Sequence, residues 1–153
     1  MNGQTVHDCI VRCVRSRLPV YATFDDQLET LPCLANSECL VLIAIGRFPT
    51  VHWTLLCCKG DTSFYFDSLA KAVSKQLTSL LDSSFRSWSR LSRPIQSEEG
   101  TACGNFCIYA CLQLLACEGD FDRLEEKLLR AFSGDRRIND CLVSKFVKDC
   151  FKA

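Results

Sequence analysis

Three observations predict a single domain of mixed helix and strand. A continuous apolar run, Cys39 to Ile45, has the length of a strand and is bounded by Gly-Arg-Phe-Pro-Thr, so it reads as a fully buried central strand. Two further extended stretches, Val51 to Lys59 and Thr62 to Ser68, are joined through Gly60-Asp61 and complete an antiparallel meander. The segments on either side carry apolar residues at helical spacing, and the most apolar of them begins at Cys103.

Taken in order, residues 6 to 18 place Val6, Ile10, Cys13, Val14 and Leu18 mostly on one face, which predicts a helix closed by Pro19. The stretch 19 to 38 is mixed and reads as loop with a short extended piece at Val20 to Phe24. After the meander, Val73, Leu77, Leu80 and Leu81 predict an amphipathic helix within Leu69 to Phe85, followed by a polar connection with room for a short strand. Behind Cys103, the residues Phe106, Cys107, Ala110, Cys111 and Leu114 predict a buried helix, with Thr101 as its N-cap and Gly104 leaving room for another backbone to approach. Two more helices are expected, one on the stripe Phe121, Leu124, Leu128 and Phe132, the other on Ile138, Leu142, Phe146 and Cys150.

At 153 residues the chain fits one domain, 1–153, large enough for a real core. Eighteen basic residues balance eighteen acidic ones, which argues against nucleic acid or an anionic membrane as the main partner, and Arg136-Arg137 reads as a solvated face. The N-terminal stretch lacks the apolar centre of a signal peptide and no apolar run is long enough to span a bilayer, so a soluble intracellular protein is expected. Twelve cysteines raise two simple explanations, a disulfide scaffold and a zinc site. A scaffold belongs to short secreted chains without a core, whereas this chain is 48% hydrophobic, and no C-x-x-C pair is present for zinc. Most of the thiols are therefore expected to be small apolar core residues, and no metal or cofactor is expected. His7 reads as a surface or capping histidine.

Four residues form a possible chemical set. Cys103 sits where a polar loop gives way to a buried helix, and the first-turn amides and helix dipole there favour a thiolate. A loop of even length at Gly60-Asp61 would set Leu55 opposite Phe66 and Cys57 opposite Phe64. That register leaves His52, Thr54, Tyr65 and Asp67 on the other face, with His52 diagonal to Asp67 at about 7 Å. A shift of one residue would put the two on opposite faces. Thiol-dependent acyl transfer needs a nucleophile, a base, a group that orients the base and donors for the oxyanion. Cys103, His52, Asp67 and Gln96 can fill those roles in that order. Each also has an ordinary role: a histidine satisfied on a strand, an aspartate ending one, a solvated glutamine.

The order His52-Trp53, then Asp67 after Phe-Tyr-Phe, then Gln96 followed by six residues and Cys103-Gly104, resembles the adenovirus endopeptidase (adenain) family, related to the SUMO- and ubiquitin-like-protein-specific proteases. Upstream, Tyr21 to Leu28 and the run into His52-Trp53 extend the likeness, which covers roughly Tyr21 to Leu115. It implies an α+β adenain/Ulp-like cysteine protease fold, a mixed β-sheet with the nucleophile at the N-terminus of a buried central helix. It also implies protein substrates cut after glycine, viral or virus-like precursors among them, with a Cys-His-Asp triad and a Gln oxyanion hole, and a place in the host nucleus or virion. Trp53 and Gly104 would bind substrate by flanking a cleft too narrow for a side chain at the scissile position. The family's activators are a peptide disulfide-linked to a cysteine upstream of the glutamine, and DNA. The corresponding stretch, Ser83 to Ile95, has no cysteine and the charge is balanced, so neither activator carries over. Two alternatives stay open: a deconjugating protease for SUMO-like or ubiquitin-like proteins, and a cysteine-rich or zinc-binding interaction module without activity.

Overall fold

A computed structural model describes residues 2–15 and 17–152. Position 16, near the end of the first predicted helix, and the two terminal residues of the expected 1–153 domain lie outside the described residues. The elements run α1 (Gly3–Val14), β1 (Val20–Phe24), a 3-10 turn (Leu28–Thr30), β2 (Ser37–Ile45), β3 (His52–Gly60), β4 (Thr62–Phe66), α2 (Lys75–Ser84), β5 (Ser87–Arg90), α3 (Cys103–Ala116), α4 (Phe121–Ala131) and α5 (Arg136–Cys150). The strands form one mixed sheet in sequence order. β2, β3 and β4 are antiparallel, as the meander pattern predicts, while β1 and β5 run parallel to their neighbours at the two edges.

The register at β3 and β4 is the one an even loop sets: Leu55 pairs with Phe66, Cys57 with Phe64, and Lys59 with Thr62 across the two-residue turn. Leu55, Cys57, Phe64 and Phe66 join Leu40, Leu42 and Ala44 in a core that α1, α3, α4 and α5 complete. The other face is no solvated surface. Val41, Ile43, Leu56, Cys58 and Tyr65 pack there against Leu77 and Leu81 of α2, so Thr54 and Tyr65 are buried, and Thr54 satisfies its hydroxyl on the Ile43 carbonyl at 3.1 Å. A sheet covered on both faces explains why Cys39 to Ile45 is apolar without alternation.

Two helix readings change. α1 begins at Gly3 rather than Val6, because the Asn2 side chain accepts from Thr5 N and caps it. In α5 the expected stripe is displaced by one residue: Asn139, Val143 and Val147 face inward, while Ile138, Leu142 and Phe146 are 51%, 52% and 38% exposed. Asn139 accounts for the rotation. Its amide donates to the carbonyls of Ile95 (3.0 Å) and Ser133 (2.8 Å) and accepts from Ser133 N (2.9 Å), so turning it outward would break three hydrogen bonds and leave the buried amide and the Ile95 carbonyl without partners. The twelve cysteines are free thiols, eight of them buried. His7 is half-buried, with Nε2 3.5 Å from the Val20 carbonyl oxygen.

Candidate active site

His52 is the first residue of β3, and Asp67 directly follows the last residue of β4. The hairpin register therefore delivers both to one end of the sheet. There His52 Nε2 donates to Asp67 Oδ1 at 2.6 Å. The carboxylate is buried and held from its other side, accepting from Leu69 N at 2.9 Å and from Lys71 N at 3.1 Å. With Nε2 committed to Asp67, the opposite ring nitrogen is left for the Cys103 thiol, which lies within hydrogen-bonding reach of the imidazole. One hairpin and a helix distant from it in sequence thus bring nucleophile, base and acid candidates together.

Cys103 opens α3, whose N-cap is Ala102 without any side-chain cap; the expected cap, Thr101, stays exposed. Burial by itself would raise the thiol pKa, but the His52 hydrogen bond, backbone hydrogen bonds from Trp53 and Gly104, and the charge of His52 lower it below its ordinary value. Burial would likewise lower the pKa of His52, yet its bonds to Asp67 and Cys103 lift it to about 9. Asp67 resists burial through His52 and the two amides and lies below the usual carboxylate value. The three shifts favour one charge state, a thiolate beside an imidazolium beside a carboxylate.

Gln96 is buried in the loop ahead of α3. Ser68 Oγ donates to its Oε1 at 2.5 Å, the Ser68 carbonyl accepts from Ile95 N and Gln96 N, and Gln96 Nε2 donates to the Gly100 carbonyl at 3.0 Å. With the amide oxygen and one hydrogen engaged, one amide hydrogen remains for a further acceptor. From behind, α5 braces this loop: Arg136 donates to the Gln96 carbonyl at 3.3 Å, Asn139 to that of Ile95, and Asp140 accepts from Ser97 N at 3.2 Å and from the Ser97 hydroxyl. Gly100 leaves room for these bonds, since a Cβ on it would displace the Asp140 carboxylate and lie 2.8 Å from Ser97 Oγ. Sequence reasoning missed Ser68, Asn139 and Asp140, and took Arg136 for a solvated residue. Only Asn139 leaves a trace, as a polar residue in line with Val143 and Val147 on the inward face.

α1 lies against both Trp53 and Gly104. A Cβ on Gly104 would sit 2.6 Å from Val6 Cγ2 and 3.7 Å from Trp53 Cδ1, and Gly3 abuts the far edge of the Trp53 ring. Gly104 admits a side chain of α1 rather than a backbone, and Trp53 lines a cavity of about 480 Å³ with Gly3, His7 and Phe48. Among the described residues no cluster of three metal-ligating side chains is present, and no helix is long and apolar enough to cross a membrane.

No protein-family model and no curated protein sequence matches the chain. Among solved structures it is similar to the ASFV pS273R protease, with a TM-score of 0.56 and 8% identity over 81% of this chain. It spans 60% of the length of that protease. It is also similar to ChlaDub1 from Chlamydia trachomatis, with a TM-score of 0.52 and 17% identity over 95% of this chain and 75% of the other. The SUMO protease Ulp1 aligns over 96% of this chain and 78% of its own at 14% identity, with a TM-score of 0.47. At such identities the shared property is the fold, and the chain has the α+β cysteine-protease fold: a mixed sheet with Cys103 at the start of the helix buried against it.

Proposed function

We propose that the chain is a cysteine endopeptidase in which Cys103 is the nucleophile, His52 the base, Asp67 the orienting acid and Gln96 an oxyanion donor. One observation carries the proposal: a histidine hydrogen-bonded to a buried carboxylate at 2.6 Å, with a thiol at a helix N-terminus beside it. In this reading the Cys103 thiolate attacks the scissile carbonyl carbon, and the His52 imidazolium gives its proton to the departing amine. His52 then takes a proton from the water that hydrolyses the thioester, while Asp67 holds the ring and its charge throughout. The free amide hydrogen of Gln96 and the backbone N–H of Cys103 would receive the oxyanion.

Cleavage after glycine follows from access. Cys103 is 6% exposed and the His52 side chain 19%, so a residue without a Cβ meets the least obstruction at the scissile position. Hydrophobic-x-Gly-x and hydrophobic-Gly-Gly sequences are the peptides to try, alongside SUMO and ubiquitin fused to a reporter. Release from the short peptides indicates a precursor-processing protease of the adenain type, and release confined to the folded partners indicates a deconjugating one. Either activity should vanish in Cys103→Ala, and a variant as active as the parent removes the assignment. Alkylation of Cys103 should be rapid at neutral pH and fall as acid protonates its lowered thiol. Turnover should fall again as pH rises through about 9, where His52 loses the proton it must donate.

A further inference from the structure

The edge strand β5 reaches the site end of the sheet through one side chain. It runs parallel to β4 with Arg90 in register with Tyr65, and Arg90 Nη1 donates to the Lys71 carbonyl at 2.8 Å. Among the described residues Arg90 makes no ion pair, so this carbonyl is what fixes its guanidinium. Residues 67–71 wind round the Asp67 carboxylate. Ala70 N donates to the Asp67 carbonyl at 2.8 Å, Leu69 N to Oδ1 and Lys71 N to Oδ2, so each carboxylate oxygen meets a backbone amide and Oδ1 is turned to His52. The turn passes through Ala70 in a left-handed conformation, φ 48°, which an alanine enters at a cost. Such a conformation persists where its surroundings hold it. Asp67 holds the turn from within, and Arg90 holds it from outside at the residue that follows Ala70.

We propose that Arg90 is a positioning residue for this site: its hydrogen bond to the Lys71 carbonyl keeps the 67–71 turn wound, and with it the Asp67 carboxylate aimed at His52. The inference rests on the reading of Asp67 as the acid that orients the base. Without the bond, Ala70 relaxes toward the backbone region an alanine prefers, Lys71 N leaves Oδ2, and the carboxylate is free to rotate away from the imidazole. The imidazolium then loses part of its stabilisation. Charge alone would act in the opposite direction, because taking a cation out of the neighbourhood of His52 favours its protonated form. The direction of the change therefore separates positioning from electrostatics. The other titratable groups that face Asp67 or His52 are Tyr65 of β4 and Cys103 and Cys107 of α3, and replacing Arg90 leaves all three in the chain.

The chain has two histidines, so the imidazole signals of the reduced full-length protein can be followed by NMR as pH is raised, with His7→Gln assigning them. In the parent, His52 should titrate at about 9. Arg90→Met keeps the length of the side chain and removes the donor. There the His52 midpoint should fall by about half a pH unit, a loss of roughly threefold in proton affinity. Arg90→Lys, which keeps a donor, should lie closer to the parent. Lys71→Met, which leaves the backbone carbonyl in place, should match the parent, and Asp67→Asn should fall furthest. An unchanged His7 signal checks that each variant is folded. A His52 midpoint that stays or rises in Arg90→Met overturns the proposal, as does an equal fall in Lys71→Met. If Asp67→Asn falls while Arg90→Met does not, Asp67 keeps its assigned part and Arg90 loses its own; if both match the parent, the reading of Asp67 goes as well.

Discussion

α3 and α5 make opposite use of a helix. α3 is apolar nearly all round, and eight of its fourteen residues are buried between the sheet and α1, α4 and α5, so its first turn is where chemistry can emerge. α5 buries one narrow line and leaves its largest apolar residues outside, and its polar inward residues brace the loop that carries Gln96. A helix enclosed on all sides presents a reactive group from a rigid mount. A helix in the outer layer can only position what others do. Four substitutions test that division, and they are expected to differ in size. Gln96→Ala, which removes the residue α5 braces, should lower turnover about a hundredfold with little change in KM, as loss of one oxyanion donor does. Steady-state kinetics on a glycine-containing peptide would show it, and a variant at parental turnover would mean that α5 braces a loop without chemical consequence.

Next comes Val143→Ala, on the inward line of α5, which should cost about 2 kcal/mol in chemical denaturation by opening a cavity against the core. Smaller is the effect of Ser68→Ala, which frees the Gln96 amide to turn. About 1 kcal/mol, or roughly fivefold in kcat, is expected, with Cys103 alkylation unchanged. Equal losses in turnover and in alkylation would instead mean that Ser68 supports the whole site. The smallest effect belongs to Leu142→Ala, one residue from Val143 on the exposed side, which should stay within about 0.5 kcal/mol of the parent. A loss as large as that of Val143→Ala would mean that α5 turns Leu142, and not Val143 alone, toward the core.

The same two helices mark how far sequence patterns reach. α3 was legible because a helix buried on every side needs only to be apolar, and the positions from Phe106 to Leu114 say so. The pairing of His52 with Asp67 was legible because the hairpin register follows from a two-residue turn and one apolar face. In α5 the larger residues Ile138, Leu142 and Phe146 outweighed Val143 and Val147 in the periodicity. The inward direction is instead set by Asn139, whose partners lie on the loop at Ile95 and the turn at Ser133, contacts that no local pattern announces. Ser68, Asp140 and the encroachment of Val6 on Gly104 were hidden for the same reason. Each depends on where a distant segment comes to rest.

The site also has an order of assembly. His52 and Asp67 meet within one local hairpin, a contact that closes at small loop entropy, whereas Cys103 must be brought in from far downstream by the packing of α3 on the sheet. The proposed base and acid can therefore be in register while the thiol is still an ordinary cysteine on an unpacked segment. On the proposed assignment, a nascent, misfolded or partly unfolded chain carries no activated nucleophile, and reactivity at Cys103 becomes a report on the completeness of the fold.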